Sequence, residues 1–229
     1  MWSRKCAVGL FSAAVWACAT RADTWWRTWE GTSYPEDDGW QRTVYGGGDS
    51  RWFENGSLVL DGLDSIYQVD DYWMDAALWP GYFLMEWRLR VDSVHGFADP
   101  VVLITCPGYG EVDFDFNEQG VYSSLEGEWI AQFTPGAFHV YSFVSEDMLT
   151  YQLCIDGQIV HNGHLIGPGS GPGVGWGDAV WGASSLSTWD YVRFGTVPEP
   201  SAGFLAGSAA LALMVGGPHR CWRKCNEVV

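Results

Sequence analysis

Short apolar or alternating runs, each bounded by tight-turn residues, recur along the middle of the chain. Asp156-Gly157 separates the runs 149–155 and 158–160, and this dipeptide is typical of a two-residue β-hairpin turn. The run 85–91 alternates between apolar and polar residues, as in a strand with one buried face. No window of the sequence has a helical hydrophobic period of useful length. The pattern predicts an all-β domain whose antiparallel strands form a sandwich or a barrel.

The composition supports the same class of fold. The 229 residues include 15 Trp and 29 Gly. Aromatic residues favour a pleated, half-buried surface, and glycine is common in turns. Two short apolar segments lie near the ends of the chain, at 7–17 and 202–217. The roughly 175 residues between them suit one domain, which we place at 23–196, better than two small ones.

The charge of this domain is strongly negative. Residues 23–197 contain six Arg, no Lys and 26 acidic residues, which gives a formal charge of −20. Such a surface repels nucleic acid and anionic membranes, so we predict no nucleic-acid partner. It suits neutral sugars, cations or basic partners, and the alternative is that the acids serve solubility alone.

The first 22 residues have the parts of a secretory signal peptide. Arg4 and Lys5 supply the positive charge, and residues 7–17 form the apolar helix. Two places offer a small-residue cleavage site, Ala17-Cys18-Ala19 and Thr20-Arg21-Ala22. We therefore predict that residues 1–22 are a signal peptide and that the domain is exported.

The C-terminal segment 197–229 also has three parts in a fixed order. Pro198-Glu199-Pro200 comes first, the apolar segment 202–217 follows, and the basic residues of 219–224 come last. The apolar segment is short for the roughly 20 residues of a stable membrane span, and the basic charges after it would stay on the cytoplasmic side. We predict a short hydrophobic helix in transient contact with the inner membrane. An ordinary single-span anchor is the alternative.

This order resembles the PEP-CTERM sorting signal of Gram-negative bacteria that make extracellular polysaccharide. The resemblance implies recognition by an exosortase, a membrane cysteine protease-transpeptidase, at Pro198, Glu199 and Pro200. It also implies export across the inner membrane to the cell envelope, the cell surface or the extracellular matrix. It indicates where the protein goes, and says nothing of its activity.

The order of the predicted strands resembles the concanavalin A-like lectin and glucanase jelly roll, including its laminin G-like branch. Three segments carry the resemblance: the strand 83–91, the hairpin arm Tyr-Gln-Leu-Cys-Ile-Asp-Gly at 151–157, and the closing strand 189–195. The resemblance implies an antiparallel two-sheet sandwich in which the last strand pairs with the first. A different all-β sandwich is the alternative.

One predicted strand carries three acidic residues in alternation. Glu111, Asp113 and Asp115 share one face of this strand, and the intervening Val112, Phe114 and Phe116 share the other. The simplest interpretation is that the acids face water and the apolar residues face the core.

The same strand resembles the Glu-x-Asp-x-(x)-Glu strand of laminarinase-type glucanases. The resemblance implies that Glu111 is a nucleophile, Asp113 a supporting acid and Asp115 the acid/base of a retaining hydrolase. The Asp115 side chain is one methylene shorter than Glu, whereas retention needs two carboxyls about 5–5.5 Å apart. The residues 107–110 also lack the Trp that commonly precedes the family motif. We therefore favour a domain without a catalytic site.

Tryptophan side chains in loops are candidate sugar-binding platforms, because a flat aromatic ring can cover the C–H groups of a sugar. Trp87 and Trp189 lie within predicted strands and are expected in the core. Five others lie in Gly-, Asp- or Pro-rich segments that we interpret as loops, namely Trp73, Trp79, Trp129, Trp176 and Trp181.

Cys106 and Cys154 are the two cysteines between the signal peptide and the tail. Outside the cytoplasm two thiols usually pair, so we predict a disulfide between them. Such a bridge would stabilise the domain by roughly 3–4 kcal/mol. Two buried thiols are the alternative.

No pattern in the sequence requires a cofactor or a metal ion. Two acidic groups offer oxygen ligands for Ca²⁺ but lack the spacing of a calcium-binding loop, namely Glu36-Asp37-Asp38 and Asp70-Asp71 with Asp75. His161 and His164 lie on a hairpin return and are disfavoured as a metal-binding pair.

These observations predict a non-enzymatic, envelope-sorted protein that binds extracellular polysaccharide through one face of a β-sandwich. Two alternatives remain open. One is a glucanase-like glycoside hydrolase that uses Glu111, Asp113 and Asp115. The other is a purely structural matrix protein.

Overall fold

The structure is a computed structural model, and it describes residues 24–44, 51–62, 65–70, 83–95, 100–106, 108–169, 173–178 and 184–196. The chain divides into two units, residues 1–197 and 198–229, and every described residue lies in the first. The predicted signal peptide and sorting segment therefore lie outside the described residues. The predicted sugar-binding residues Trp73, Trp79 and Trp181 lie outside them as well. Within the described segments, no helix is long and apolar enough to cross a membrane.

The described residues form antiparallel strands and one short 3-10 helix. The helix is Pro35–Asp38. The strands are β1 Thr24–Trp29, β2 Gln41–Val44, β3 Arg51–Glu54, β4 Ser57–Asp61, β5 Ser65–Asp70, β6 Phe83–His95, β7 Val101–Cys106, β8 Gly110–Asn117, β9 Gly120–Ser123, β10 Glu128–Ala131, β11 His139–Ser145, β12 Thr150–Ile155, β13 Gln158–His164, β14 Gly173–Asp178 and β15 Ser184–Thr196.

These strands form two sheets, which confirms the predicted antiparallel sandwich. Sheet A has the order β13-β12-β11-β6-β15-β4-β3, and β1 pairs with β15 as well. Sheet B has the order β10-β9-β8-β7-β14-β5-β2. Because β1 pairs with β15, the first described strand and the last are joined, as the family resemblance implies.

The core lies between the inner faces of the two sheets, and strand alternation decides which residues enter it. On β6, Met85, Trp87 and Leu89 are buried in the core, whereas Glu86 and Arg88 between them are only partly buried. This is the alternation predicted for 85–91, and it follows from the two-residue period of a strand. The predicted core positions of Trp87 and Trp189 are confirmed as well.

The predicted hairpin at Asp156-Gly157 is confirmed by its backbone geometry. Asp156 has φ 50° and Gly157 has φ 77°, and two successive positive φ values are what a type I′ turn requires. The Asp156 side chain adds a second contact, because its Oδ1 accepts the Val140 N–H at 2.9 Å. The turn therefore fixes the register between β12 and β13 and also anchors the neighbouring β11.

Trp176 is a correction to the loop interpretation. It lies in β14, is fully buried, and stacks on Trp29 with ring centroids 4.9 Å apart. The glycines around it led to the loop interpretation, but Gly175 and Gly177 occupy alternate positions of the strand. They fall on the outer face, so the strand remains regular while Trp176 enters the core.

The predicted disulfide between Cys106 and Cys154 is also wrong. Both residues are buried thiols, one in β7 of sheet B and the other in β12 of sheet A. Cys106 belongs to the core cluster, whereas on β12 it is the neighbours Leu153 and Ile155 that belong to it. Cys154 therefore points away from the core, so the two sulfurs lie on opposite sides of sheet A and cannot meet.

Candidate functional site

The acidic strand β8 lies within sheet B, between β7 and β9. Val112, Phe114 and Phe116 are buried in the core, so the predicted inner face is confirmed. Glu111, Asp113 and Asp115 consequently occupy the outer face of sheet B. We consider this face a candidate site because it carries three carboxylates that do not belong to the core.

Asp115 is the most buried of the three acids, with 6 % of its surface exposed. Burial, together with the negative charge of Asp113, raises its pKa from 3.8 to about 7, although a hydrogen bond from Ser124 opposes the rise. The Asp115 carboxyl is therefore close to half protonated at neutral pH, and it can donate a hydrogen bond as well as accept one.

Asp113 has a structural task. Its Oδ2 accepts a hydrogen bond from Ser124 Oγ, and its Oδ1 accepts the Leu125 N–H at 3.1 Å. Both donors lie in the turn between β9 and β10, so Asp113 holds this turn against the outer face of β8. The carboxylate therefore positions the neighbouring strands and is already satisfied when no ligand is bound.

Two aromatic rings lie beside the acids. Tyr122 is the cross-strand partner of Asp115, and Trp129 is the cross-strand partner of Tyr122. The Tyr122 and Trp129 rings are 5.2 Å apart at 59°, and Trp129 is 42 % exposed. Trp129 lies on an edge strand, so the predicted loop is wrong at this residue, and its role as a sugar-binding platform stays a prediction that its exposure allows. We call Glu111, Asp113, Asp115, Tyr122 and Trp129 together the acidic face.

The register of sheet B extends this face in a straight line across five strands. Gly177, Val101, Asp115, Tyr122 and Trp129 are successive cross-strand partners from β14 to β10. Cross-strand partners point to the same side of a sheet, and four interstrand spacings span about 19 Å. Gly177, Val101 and Asp115 are buried, whereas Tyr122 is partly exposed and Trp129 is exposed, so the accessible part of this line is its Trp129 end.

Sequence analysis missed Tyr122, which joins the acids to Trp129. The available signal was the position of Val121, which is buried in the core and directly precedes Tyr122. Alternation alone would have placed Tyr122 on the outer face. The alignment of Tyr122 with Asp115 depends on the register between strands, which no local pattern encodes.

Of the acidic residues considered as calcium ligands, Glu36 and Asp38 contact other protein groups, and Asp71 and Asp75 lie outside the described residues. Glu36 is bound by Arg51, whose Nη1 lies 2.7 Å from Oε1 and 2.9 Å from Oε2. Asp38 Oδ2 accepts the Ser33 hydroxyl at 2.8 Å. Since these carboxylates already have protein partners, they do not form an open oxygen cage.

One group of side chains within the described residues has the spacing of metal ligands. Glu126, Glu128 and His161 each place one donor atom within 4.8 Å of the others. The sequence prediction disfavoured His161 with His164 as a metal-binding pair, and His164 does not belong to this group. Glu126 and Glu128 were not singled out from the sequence at all.

Comparisons with known proteins identify the fold and no family. No protein-family model matches the chain, and no curated protein matches its sequence. Among solved structures, an endo-β-1,3(4)-glucanase from family GH16, crystallised with a cellobiosyl-glucose at its active site, is similar with a TM-score of 0.55. The two chains are 15% identical, and the match covers 77% of this chain and 96% of the glucanase.

Two further solved structures give a similar result. A carbohydrate esterase from the Shiga toxin-encoding bacteriophage phi24B matches with a TM-score of 0.55 and 11% identity, over 75% of this chain and 98% of its own. A sialidase of Trypanosoma rangeli matches with a TM-score of 0.52 and 10% identity, over 70% of this chain but 28% of its own. At these identities the likeness shows the fold alone, which is the concanavalin A-like jelly roll.

Proposed function

We propose that this protein is a non-enzymatic carbohydrate-binding protein that holds extracellular polysaccharide on its acidic face. The observation that carries the proposal is the exposed Trp129 ring, which lies beside Tyr122 and in line with Asp115. An exposed indole offers a flat apolar surface for sugar C–H groups, and the partly exposed carboxylates of Glu111 and Asp113 on the same face can accept hydrogen bonds from sugar hydroxyls. That the glucanase and the esterase of similar fold are named for carbohydrate chemistry supports this class of ligand.

The charge of the face narrows the class of polysaccharide. Glu111, Asp113 and Asp115 lie in one row, and residues 23–197 as a whole have a formal charge of −20. An anionic polymer would approach against this charge, whereas a neutral polymer would not. We therefore propose a neutral, hydroxyl-rich polysaccharide as the ligand.

The test compares two tryptophans of equal exposure on different sheets. Trp129 in β10 of sheet B is 42 % exposed, and Trp52 in β3 of sheet A is 41 % exposed. We expect Trp129→Ala to weaken retention on neutral polysaccharides by about fivefold, since one stacked ring contributes of the order of 1 kcal/mol. Trp52→Ala serves as the matched control and should bind as the parent does.

Affinity electrophoresis in gels containing neutral or anionic polysaccharides measures this directly. Equal retention of Trp129→Ala and Trp52→Ala would show that the acidic face is not the binding surface. No retention of the parent chain on any polysaccharide would leave the structural matrix protein as the better description.

We also propose that the chain is exported and then sorted to the cell envelope by its C-terminal segment. The support is the order of Pro198-Glu199-Pro200, the apolar segment 202–217 and the basic residues behind it. The expected result is a surface-associated product that lacks residues beyond the motif, measured by cell fractionation and mass spectrometry of intact protein. Replacement of Glu199 by Ala should leave an unprocessed, membrane-associated chain, and processing that is indifferent to this change would contradict the assignment.

A glucanase-like hydrolase is the second candidate, and one observation favours it. The pKa of Asp115 is raised to about 7, which suits a general acid that must be protonated at neutral pH. The burial of Asp115 and the hydrogen bonds from the neighbouring turn to Asp113 argue against access of a substrate to a catalytic pair. Release of reducing ends from β-glucans decides the matter, because a hydrolase of this kind would lose activity in both Glu111→Gln and Asp115→Asn.

A further inference from the structure

A second polar cluster lies where the edges of the two sheets face each other. Glu126 is in the turn after β9, and Glu128 is in β10, the edge strand of sheet B. His161 is in β13, the edge strand of sheet A. We infer that Glu126, Glu128 and His161 form a binding site for a divalent transition-metal ion of the Zn²⁺ type, a site that is separate from the acidic face.

The strand pattern directs these side chains toward one another. Glu128 is the cross-strand partner of Ser123, which lies two residues after the core residue Val121 in β9, so Glu128 shares the inner face of sheet B. His161 is the cross-strand partner of Leu153, another core residue, so it shares the inner face of sheet A. The donors therefore point into the opening between the sheets, whereas Trp129 points to the outer face.

The distances fit a small ion with short bonds. His161 Nε2 lies 2.9 Å from Glu126 Oε2, and the donor atoms of all three residues are within 4.8 Å of one another. Bonds of about 2.0–2.2 Å in a tetrahedron place neighbouring donors about 3.3 Å apart. The His161–Glu126 pair therefore needs to widen by only a few tenths of an ångström to accept an ion between its atoms.

Further contacts orient the Glu126 carboxylate, and metal ligands are usually held in place by hydrogen bonds of this kind. Glu126 Oε1 accepts the Tyr151 hydroxyl and the His164 N–H, each at 3.2 Å, which leaves Oε2 directed at His161. The Glu126 and His161 side chains are only 12 % and 17 % exposed, so both hold defined positions.

Gly163 keeps this cradle open. A Cβ at Gly163 would lie 2.4 Å from the Tyr151 ring and 2.5 Å from Glu126 Oε1. Any other residue would displace the hydroxyl and the carboxylate that form the site. The close approach of the β13 backbone is therefore part of the geometry that aims Glu126.

The donor set selects the class of ion. One imidazole and two carboxylates suit Zn²⁺ and its neighbours, whereas Ca²⁺ and Mg²⁺ prefer oxygen ligands alone. Three protein ligands leave one position of a tetrahedron open for water. Because the ligands come from both sheets, the bound ion would join the two edge strands and stabilise the sandwich by binding only the folded state.

The test measures Zn²⁺ binding by the full chain, without a polyhistidine tag and with accessible thiols alkylated, because Cys221 and Cys225 could also bind Zn²⁺. Isothermal titration calorimetry gives the stoichiometry, and thermal unfolding gives the shift in Tm. We expect a Tm increase of about 5–10 °C at a Zn²⁺ concentration one hundredfold above Kd. Ca²⁺ at the same concentration should leave Tm unchanged.

Three variants identify the site. Glu128→Gln, at an exposed position that the fold does not require, should bind one Zn²⁺ fewer than the parent and lose the Tm increase. His161→Gln should do the same, and His164→Gln should bind as the parent does. A parent chain whose Tm is unaffected by Zn²⁺, or an increase that persists in Glu128→Gln, would overturn the proposal and leave the cluster as an ion pair that protects the sheet edges.

Discussion

Replacing Asp115 by Asn should change how the stability of this domain depends on pH. The pKa of Asp115 rises from 3.8 to about 7 on folding because the carboxyl is buried and lies near Asp113. The folded state therefore holds a proton that the unfolded state releases between these pH values. Stability falls as pH rises through this window, and each pKa unit corresponds to about 1.4 kcal/mol. Ionised Asp115 thus costs the folded state about 4 kcal/mol above pH 8.

The measurement is urea-induced unfolding of the parent and of Asp115→Asn, followed by tryptophan fluorescence from pH 5 to pH 8. Over this range the parent should lose about 2.5 kcal/mol of unfolding free energy relative to the variant, because Asn does not titrate. Comparing the parent with Asp115→Asn at the same pH cancels the effect of the other 27 acidic residues, since both chains carry them. Glu118→Gln, which removes a carboxylate from an exposed turn, is the matched control.

The result that would refute the reasoning is a constant difference between the parent and Asp115→Asn across the range. It would mean that Asp115 is ionised in the folded state at pH 5 and that water reaches its carboxyl. The acidic face would then be an open row of charges, and the argument for a protonated carboxyl beside Tyr122 would fall with it.

Three further predictions concern the core and the strand contacts. Trp176→Ala removes a fully buried ring that stacks on Trp29, and urea unfolding should show a loss of about 3–5 kcal/mol. Cys106 should resist alkylation until the chain unfolds, as mass spectrometry can show, because its thiol is buried and its pKa is raised to about 11. A Cβ at Gly120 would lie 2.0 Å from the Ala131 carbonyl oxygen, so Gly120→Ala should broaden or abolish cooperative unfolding, read by circular dichroism.

The parts of the fold that obey local rules could be predicted from the sequence. The hairpin at Asp156-Gly157 depends on two residues that tolerate positive φ, and the dipeptide itself reports this. The two faces of β8 follow from strict alternation of acids with Val112, Phe114 and Phe116. Each of these features is determined by residues within one or two strands, which is the range over which such patterns are informative.

The errors arose where one residue type has two structural uses. Glycine around Trp176 indicated a loop, but glycine also fits a central strand whose outer face carries no side chain. Two cysteines in an exported domain indicated a disulfide, but pairing depends on which faces of the sandwich the two thiols occupy. For Cys106 and Cys154 that information comes from the alternation of two separate strands and not from the count of cysteines.

The candidate sites are non-local, and this is why only fragments of them could be predicted. Trp129 was singled out, yet its alignment with Tyr122 and Asp115 is set by the register of three strands. Glu126 and His161 are 35 residues apart in the chain and meet because the edges of different sheets face each other. A linear sequence shows such residue types but not their distances, so clusters of this kind appear only with the fold.

The positions of the arginines in sheet A also indicate whether the ligand is charged or neutral. Arg88, Arg90 and Arg193 lie in β6 and β15 of sheet A, and each forms an ion pair with a carboxylate there. Positive charge on that sheet is therefore compensated within the protein and gives an anionic polymer little attraction. The acidic face of sheet B repels such a polymer outright. A neutral polymer meets neither penalty, and sheet B offers it the exposed Trp129 ring on the same face as the partly exposed carboxylates of Glu111 and Asp113, which together suit a sugar ligand.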